Sequence, residues 1–500
     1  MLRYLYIMAT HDEAAVLIQK STAHGSLLRI LVAAVLTAFV FGAVVLVQHR
    51  PSGAATMSSR LMSLSDLPAG WSVNPAPATS VLSKNQCLVG LGTNDGTKPV
   101  EATADFTRNS SLPLFHELLS SGRGLETQFK TAVKALTNCR SLTFTESGKK
   151  VHGTIVPLSL GNLGATSAAF TLSFTISNIN IVADLVVFKT HSYVGEVEYA
   201  DIATPQNATV EALAQDSVMK AEGEAVSTPK IRVSIVSARV HIAHTQRGNV
   251  AYREIGNGPP LVLIAGYGST MQVWDRVFVD ALAVNHRVVI FDNAGIGKTA
   301  TLPAPLTVDE MANQTSALIT TLGLKDPSVL GWSMGGMIAQ ALAVLHPSQV
   351  SHLVLCATYP GTGTVVPPQK NINALTGGNA KKELALLFPP DQSVAQSTYL
   401  VAVSEFPPGP SVSKALIAAQ GSASLQWFNG ADLAGMKTAQ ISVSTLVADG
   451  TVDRLDPVAN AHHIVSLIPG STLVLYPDSG HAFLFQDETA FAPAVESFLK

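Results

Sequence analysis

Charge and aromatic rings are both scarce in this sequence, at 13% Asp, Glu, Lys and Arg and 6% Phe, Trp and Tyr over 500 residues. So apolar and so weakly charged a composition is not that of a disordered chain. The 32 basic side chains do not outnumber the 35 acidic ones, and a net charge of −3 leaves no excess for a polyanion. Nucleic acid is therefore not an expected partner. Only three cysteines are present, too few for a disulfide-dense scaffold. Paired metal-ligand spacings are missing as well, so no metal is expected, and no cofactor is implied. What is abundant is apolar residues, 47% of the chain. At roughly 150 residues per domain, the length suggests two or three domains, each with its own core.

The apolar residues are unevenly spread. Ile30 to Val47 is an 18-residue run without a charge, and at about 1.5 Å per residue it reaches roughly 27 Å, near the thickness of a bilayer core. With 29 residues ahead of it, the run reads as an uncleaved single-pass transmembrane helix (residues 30–47) after an N-terminal tail (1–29). A signal peptide cleaved near Gly53, Ala54 and Ala55 is the alternative. Lys20 and Arg29 on one side are matched by Arg50 and Arg60 on the other, so charge asymmetry does not orient the helix. Cys87 and Cys139 follow the run and could form a disulfide, which would place the bulk of the chain outside the cytoplasm. Cys356, within Leu353-Val-Leu-Cys356, reads as strand core.

Residues 48–80 have the Pro, Ser, Ala and Thr content of a linker, interrupted by Leu61-Met-Ser-Leu64 and by Asp66-Leu-Pro-Ala-Gly-Trp71. From Phe115 to Leu136 the spacing of Leu118, Leu119, Leu125, Phe129, Val133 and Leu136 predicts helix, and alternation between Leu142 and Tyr199 predicts strands. A closing helix is expected over Val210 to Ala221. Residues 81–225 thus form an α+β module, in which His116, His152 and His191 are isolated and fit surface or core positions. The Asp66 to Trp71 phrase with its downstream cysteines resembles exported actinobacterial lipoprotein and sensor-type domains, which implies an extracytoplasmic binding or sensing module.

After Val226 to Lys230 the pattern changes. Short apolar strands (Leu261–Ile264, Val288–Phe291, Val329–Leu330, Leu353–Cys356, Val443–Val447, Leu473–Tyr476) alternate with helices such as Val308–Leu322, Met334–Leu345 and Pro457–Leu467. Continuous apolar strands divided by helices indicate an α/β fold, a mostly parallel sheet covered on both faces. In such sheets reactive groups collect at the carboxyl ends of strands.

Gly331-Trp332-Ser333-Met334-Gly335 stands at one such end. Its glycines permit the tight turn that lifts a serine hydroxyl above the sheet, and Gly336 lets the helix start close to the strand. A serine hydroxyl is a weak nucleophile and needs an aligned base held by a carboxylate. His481, just beyond the last strand, is the base candidate; His462 and His463 fall on a helix and His346 at the end of another. The loop after Val447 offers Asp449, Asp453 and Asp456. Asp453 is preferred as the acid, Asp449 is the alternative, and Asp456 fits a cap on the helix starting at Pro457. Backbone N–H groups of Tyr267, in Gly266-Tyr267-Gly268, and of Met334 can serve as oxyanion donors. Asp292-Asn-Ala-Gly-Ile-Gly-Lys-Thr299 superficially has the look of a phosphate loop, but Asp292 occupies the place of its first glycine, which disfavours an NTPase.

Residues from about 231 to 500 resemble the α/β-hydrolase superfamily, in its serine esterase, lipase and cofactor-free haloperoxidase-like branch. The resemblance rests on the order Ser333, Asp453, His481, on Ala251-Tyr252-Arg-Glu-Ile-Gly-Asn-Gly-Pro-Pro-Leu261 and on Phe291-Asp-Asn-Ala-Gly-Ile-Gly297. It implies Ser333 as nucleophile, His481 as general base and then acid, Asp453 as its orienter, and a variable helical cap at about 360–430. One departure is Ala265, where many members have His. Epoxide hydrolases and haloalkane dehalogenases place Asp at the elbow, so Ser333 disfavours both. The expected activity is cleavage of a small-molecule or lipid-like carboxylic ester, or a similar acyl bond, through an acyl-enzyme. The alternatives are a ligand-binding or sensing protein with a hydrolase fold as receptor, and a cofactor-free perhydrolase.

Overall fold

The computed structural model describes residues 57–67, 71–74, 100–108, 112–146, 149–176, 178–202, 207–226, 234–376 and 379–500. The run at 30–47 and Cys87 lie outside the described residues. Among those that are described, no helix is long and apolar enough to cross a membrane. The chain divides into two compact units, with the boundary between Arg232 and Val233.

Among the described residues, the first unit is an eight-stranded antiparallel sheet with helices at Leu125–Asn138 and Asn207–Glu222. Its strands are β1 (Trp71–Val73), β2 (Val100–Arg108), β3 (Leu114–Ser121), β4 (Ser141–Glu146), β5 (Lys149–Leu158), β6 (Thr166–Ile176), β7 (Ile179–Lys189) and β8 (Val194–Asp201). They lie in the order β1-β2-β3-β8-β7-β6-β5-β4. The helices are α1 (Leu125–Asn138), which buries Phe129, Ala132 and Leu136, and α2 (Asn207–Glu222). Two expectations are corrected here. The predicted helix from Phe115 begins only at Leu125, because Leu114–Ser121 is a strand paired with both β2 and β8. That strand is buried along nearly its whole length, so its apolar residues show no alternation and imitate helical spacing. Gly122 and Gly124, with φ of 154° and 76°, make the break between the two elements. The second correction concerns the linker at 48–80, since Met57, Leu61, Met62, Leu67 and Trp71 are buried in the same core as Phe115, Val197 and Leu213. Cys139 is disulfide-bonded, whereas Cys356 is a free buried thiol.

The second unit carries the other eight-stranded sheet, in the order β16-β15-β14-β13-β11-β12-β10-β9. β9 (His241–Thr245) and β10 (Gly248–Ile255) form an antiparallel hairpin against β12 (Arg287–Phe291). β11 (Pro260–Ile264), β12, β13 (Ser328–Trp332), β14 (His352–Cys356), β15 (Ser444–Gly450) and β16 (Thr472–Tyr476) are all parallel. Helices lie between them: α3 (Arg276–Leu282), α4 (Val308–Thr321), α5 (Met334–Leu345), then α6 (Gln369–Thr376), α7 (Ala380–Leu387), α8 (Ser393–Ser404) and α9 (Lys414–Phe428), followed by α10 (Ala459–Leu467), α11 (Phe483–Gln486) and α12 (Glu488–Phe498). Two buried clusters, one around Leu263, Trp274, Phe278 and Phe491 and one around Val262, Val329, Ile338 and Leu355, form cores on opposite faces of the sheet. Parallel strands sandwiched this way must be apolar on both sides, which is why they read as unbroken apolar runs. The four helices α6 to α9 are inserted between β14 and β15 and form the cap expected at about 360–430.

Candidate functional site

Ser333 follows β13 and is the N-cap of α5, with φ of 58° and ψ of −124°. A non-glycine residue rarely holds such angles, and the surroundings must enforce them. A Cβ added at Gly331 would lie 2.3 Å from Gly335 O, one at Gly335 only 1.9 Å from Ile264 O, and one at Gly336 2.5 Å from the Thr358 Cβ. All three glycines are therefore demanded by the closeness of strand, turn and helix, and not by turn propensity alone. Ser333 N–H donates to Cys356 O at 2.9 Å, and Thr358 Oγ1 donates to Ser333 O at 2.7 Å. The strain is fastened from both sides.

His481 lies past the end of β16, where its Nδ1 meets Asp453 Oδ2 at 2.7 Å, with side-chain exposures of 2% and 0%. Asp453 Oδ1 accepts the backbone N–H groups of Leu455 at 2.7 Å and Asp456 at 2.8 Å. The carboxylate is thus oriented by its own turn, with one oxygen left for the imidazole. Trp332 Nε1–H donates to His481 O at 2.9 Å and its ring lies 5.6 Å from the imidazole, so the residue preceding Ser333 also fixes the histidine loop. Among the described residues, Ser333 Oγ and the His481 ring are not hydrogen-bonded to each other. A gap of this kind is ordinary in a ligand-free site.

Asp449, the alternative acid, is placed differently. It ends β15 fully buried, its Oδ1 accepts the Gly450 N–H at 2.7 Å, and its Oδ2 has no partner. Burial, then the neighbouring carboxylates of Asp453 and Asp456, push it well above the usual carboxylate range, and it is Asp453 that faces the histidine. Asp456 does not cap a helix at Pro457 as expected. The helix begins at Ala459, and Asp456 Oδ1 accepts instead from Asn460 Nδ2 at 2.7 Å. Cys356 is likewise fully buried, and burial raises its thiol well above its ordinary value.

The loop Gly266-Tyr267-Gly268 leaves β11 beside the elbow, and a Cβ on Gly266 would stand 3.1 Å from the Ser333 Cβ and 3.7 Å from its Oγ. Met334 is the first helical residue, so its N–H has no acceptor one turn back within α5. Gly266, which precedes Tyr267, and Met334 are thus both next to the serine. Ala265, the departure from the family pattern, has its carbonyl held by Asn293 Nδ2 at 2.9 Å. Asp292 is buried at the end of β12, accepts the Met271 N–H at 2.7 Å, and burial pushes it up to about 7. It closes a loop inside the core and faces no phosphate cradle. His462 and His463 sit on α10, and His346 ends α5 with Nε2 2.8 Å from Asn313 Oδ1; none reaches Ser333. Among the described residues, no group of three or more His, Cys, Asp or Glu could hold a metal ion.

Sequence reasoning missed Trp332, Thr358, Asn293 and Gln420, all of which support these loops. Trp332 occupies a variable position of the elbow string, and the Gln420 contact spans 152 residues; neither leaves a local signal.

Comparison with known proteins follows the same lines. Residues 259–380 match the family model of the alpha/beta hydrolase fold. The chain is 44% identical over 111 residues to a Mycobacterium tuberculosis protein named as a non-heme bromoperoxidase, covering 22% of this chain and 42% of that one. It is 29% identical over 266 residues to the 2-hydroxy-6-oxo-6-(2'-aminophenyl)hexa-2,4-dienoic acid hydrolase of Metapseudomonas resinovorans, 50% of this chain and 86% of that one. A polyketide synthase of Burkholderia thailandensis matches over 12% of its own length, at 31% identity and 49% of this chain. The chain spans less than half the length of the bromoperoxidase and the polyketide synthase. Among solved structures, an alpha/beta hydrolase fold protein from Chitinophaga pinensis aligns with a TM-score of 0.49 at 23% identity, covering 54% of this chain and 99% of that one. From its hairpin-led strand order, its serine elbow between β13 and α5, and its matched family model, the second unit of this chain is an α/β-hydrolase-fold domain.

Proposed function

We propose that the second unit is a serine hydrolase that cleaves carboxylic esters or similar acyl bonds. In this reading Ser333 Oγ attacks the acyl carbon as His481 Nε2 takes its proton, and the Tyr267 and Met334 N–H groups receive the developing oxyanion. His481 then returns the proton to the leaving alcohol. Water, activated by the same imidazole, releases the acid from Ser333. Asp453 holds the ring in the tautomer that carries a proton on Nδ1 and stabilises the imidazolium. The observation that carries the reading is the buried His481 to Asp453 contact at 2.7 Å beside a strained Ser333. The hydrolase relative is named for hydrolysis of a carbon skeleton, which supports hydrolysis in general without fixing the ester. A fluorophosphonate probe tests it: the natural chain should be labelled and Ser333→Ala should not. An unlabelled natural chain, or equal labelling of both, would overturn it.

The relative named as a non-heme bromoperoxidase supports a second reading, a cofactor-free perhydrolase using the same serine. We also infer that the protein is held to a membrane by the run at 30–47, with the hydrolase unit outside the cytoplasm, and the disulfide at Cys139 supports an oxidising compartment. Deleting residues 30–47 should move the protein from the membrane pellet to the supernatant, and protease added to intact cells should cleave the full chain.

A further inference from the structure

Besides its own turn bonds, Ser269 N–H to Gly266 O and Ser269 Oγ to Tyr267 O, both at 3.3 Å, the loop that carries Tyr267 is held from outside at two points. From the sheet side, Asn293 fixes Ala265 O. From the cap side, Gly268 N–H donates to Gln420 Oε1 at 2.7 Å. Gln420 lies in α9 and is fully buried, and because an N–H can face only an acceptor, Gly268 itself decides which end of the amide points toward the loop. The same turn of α9 lies next to Tyr267, since a Cβ added to Gly421 would stand 3.7 Å from the Tyr267 hydroxyl.

This polar contact is unusual on two counts. Gln420 Nε2 is buried without a partner, so the side chain is kept at a cost that an apolar residue of equal volume would avoid. Gly266 and Gly268 have no side chains to stiffen the turn between the two fixed points, and Gly268 holds a φ of 62°. The position of the Tyr267 N–H therefore depends on what holds the ends of the loop. An oxyanion donor is useful only within a few tenths of an ångström of its place, and small displacements are expensive in rate.

We propose that Gln420 is a positioning residue of the oxyanion loop, so that the donor set is complete only when the cap helix α9 is seated. The proposal rests on Ser333 being the nucleophile. It identifies the cap as part of the machinery that stabilises the transition state, in addition to whatever it contributes to substrate choice. The Gly268 N–H is buried, and without the Gln420 oxygen it is left unpaired, which drives the turn to rearrange.

Full-length Gln420→Met keeps the length and volume of the side chain but has no comparable acceptor. Its kcat on a p-nitrophenyl ester should fall by about ten- to a hundredfold, less than the roughly hundred- to thousandfold cost of deleting a donor outright because the Tyr267 N–H is displaced and not removed, while KM moves by less than about threefold because ground-state binding is untouched. Gln420→Glu keeps an oxygen toward Gly268 and should recover most of kcat. Counting fluorophosphonate-reactive sites at completion, together with the melting temperature, restricts the comparison to folded enzyme. An unchanged kcat in Gln420→Met, or a Glu variant as impaired as the Met variant, overturns the positioning role while Ser333 labelling still stands. An unlabelled natural chain would remove both readings at once.

Discussion

Asp453 and Asp449 are four positions apart on one loop, yet their surroundings give them opposite roles. Asp453 has its two oxygens divided between two backbone N–H groups and the imidazole, so it is fixed as a carboxylate partner. Asp449 is enclosed with a single backbone donor, the Gly450 N–H, and burial pushes it well above the usual carboxylate range. Asp453→Asn should reduce kcat by about four orders of magnitude with the fold intact, because an amide donor in that place favours the wrong imidazole tautomer. Asp449→Asn should change kcat by less than about tenfold, since Asp453 and not Asp449 holds the imidazole; steady-state kinetics on one ester decides between them. The spacing of Asp453 between a turn glycine and a proline was legible in the sequence. The burial of Asp449 and the Asn460 partner of Asp456 were not, because both arise from side chains brought together by the fold.

At the level of elements, the elbow and the parallel strands were the most readable parts, since each is written in contiguous residues. Strand β3 was misread because complete burial erases alternation, and the β9–β10 hairpin was not read from the sequence, since its faces mix His, Thr and Arg with small apolar residues. The cap helices gave the weakest pattern, as their apolar residues serve one another and the sheet at once. The glycines around Ser333 make a sharp prediction. Gly335→Ala should cost more than about 3 kcal/mol or prevent folding, because its methyl would meet a backbone carbonyl that cannot move without shifting β11. Gly323→Ala, where the added Cβ meets nothing within 4 Å, should be milder, limited to the strain of its positive φ. Thermal denaturation of the two variants compares them directly.

On the scale of the whole molecule, buried carboxylates tie stability to pH. In the first unit, burial and then the Glu101 charge push Glu196 up to about 8, and burial pushes Glu117 up to about 8 as well. Both should ionise near 4.3 when unfolded. Between these values the folded unit binds more protons than the unfolded one, so its stability is fully present at acid pH and is lost as pH rises through about 8. Calorimetry should show this unit melting at a higher temperature at about pH 5.5 than at about pH 8.5, and Glu196→Gln should flatten the dependence; an opposite trend would contradict the burial of these carboxylates in solution.

The hydrogen bond between Gly268 and Gln420 also bears on how such a domain can diversify. The cap is inserted between two adjacent parallel strands, so its replacement leaves the register of the sheet unchanged. A cap grafted from another hydrolase would nevertheless arrive without an oxygen for Gly268 unless its own helix happened to supply one. Recombination at this junction is topologically free but chemically conditional, and the grafts that retain turnover should be those whose incoming helix carries a hydrogen-bond acceptor at the position of Gln420.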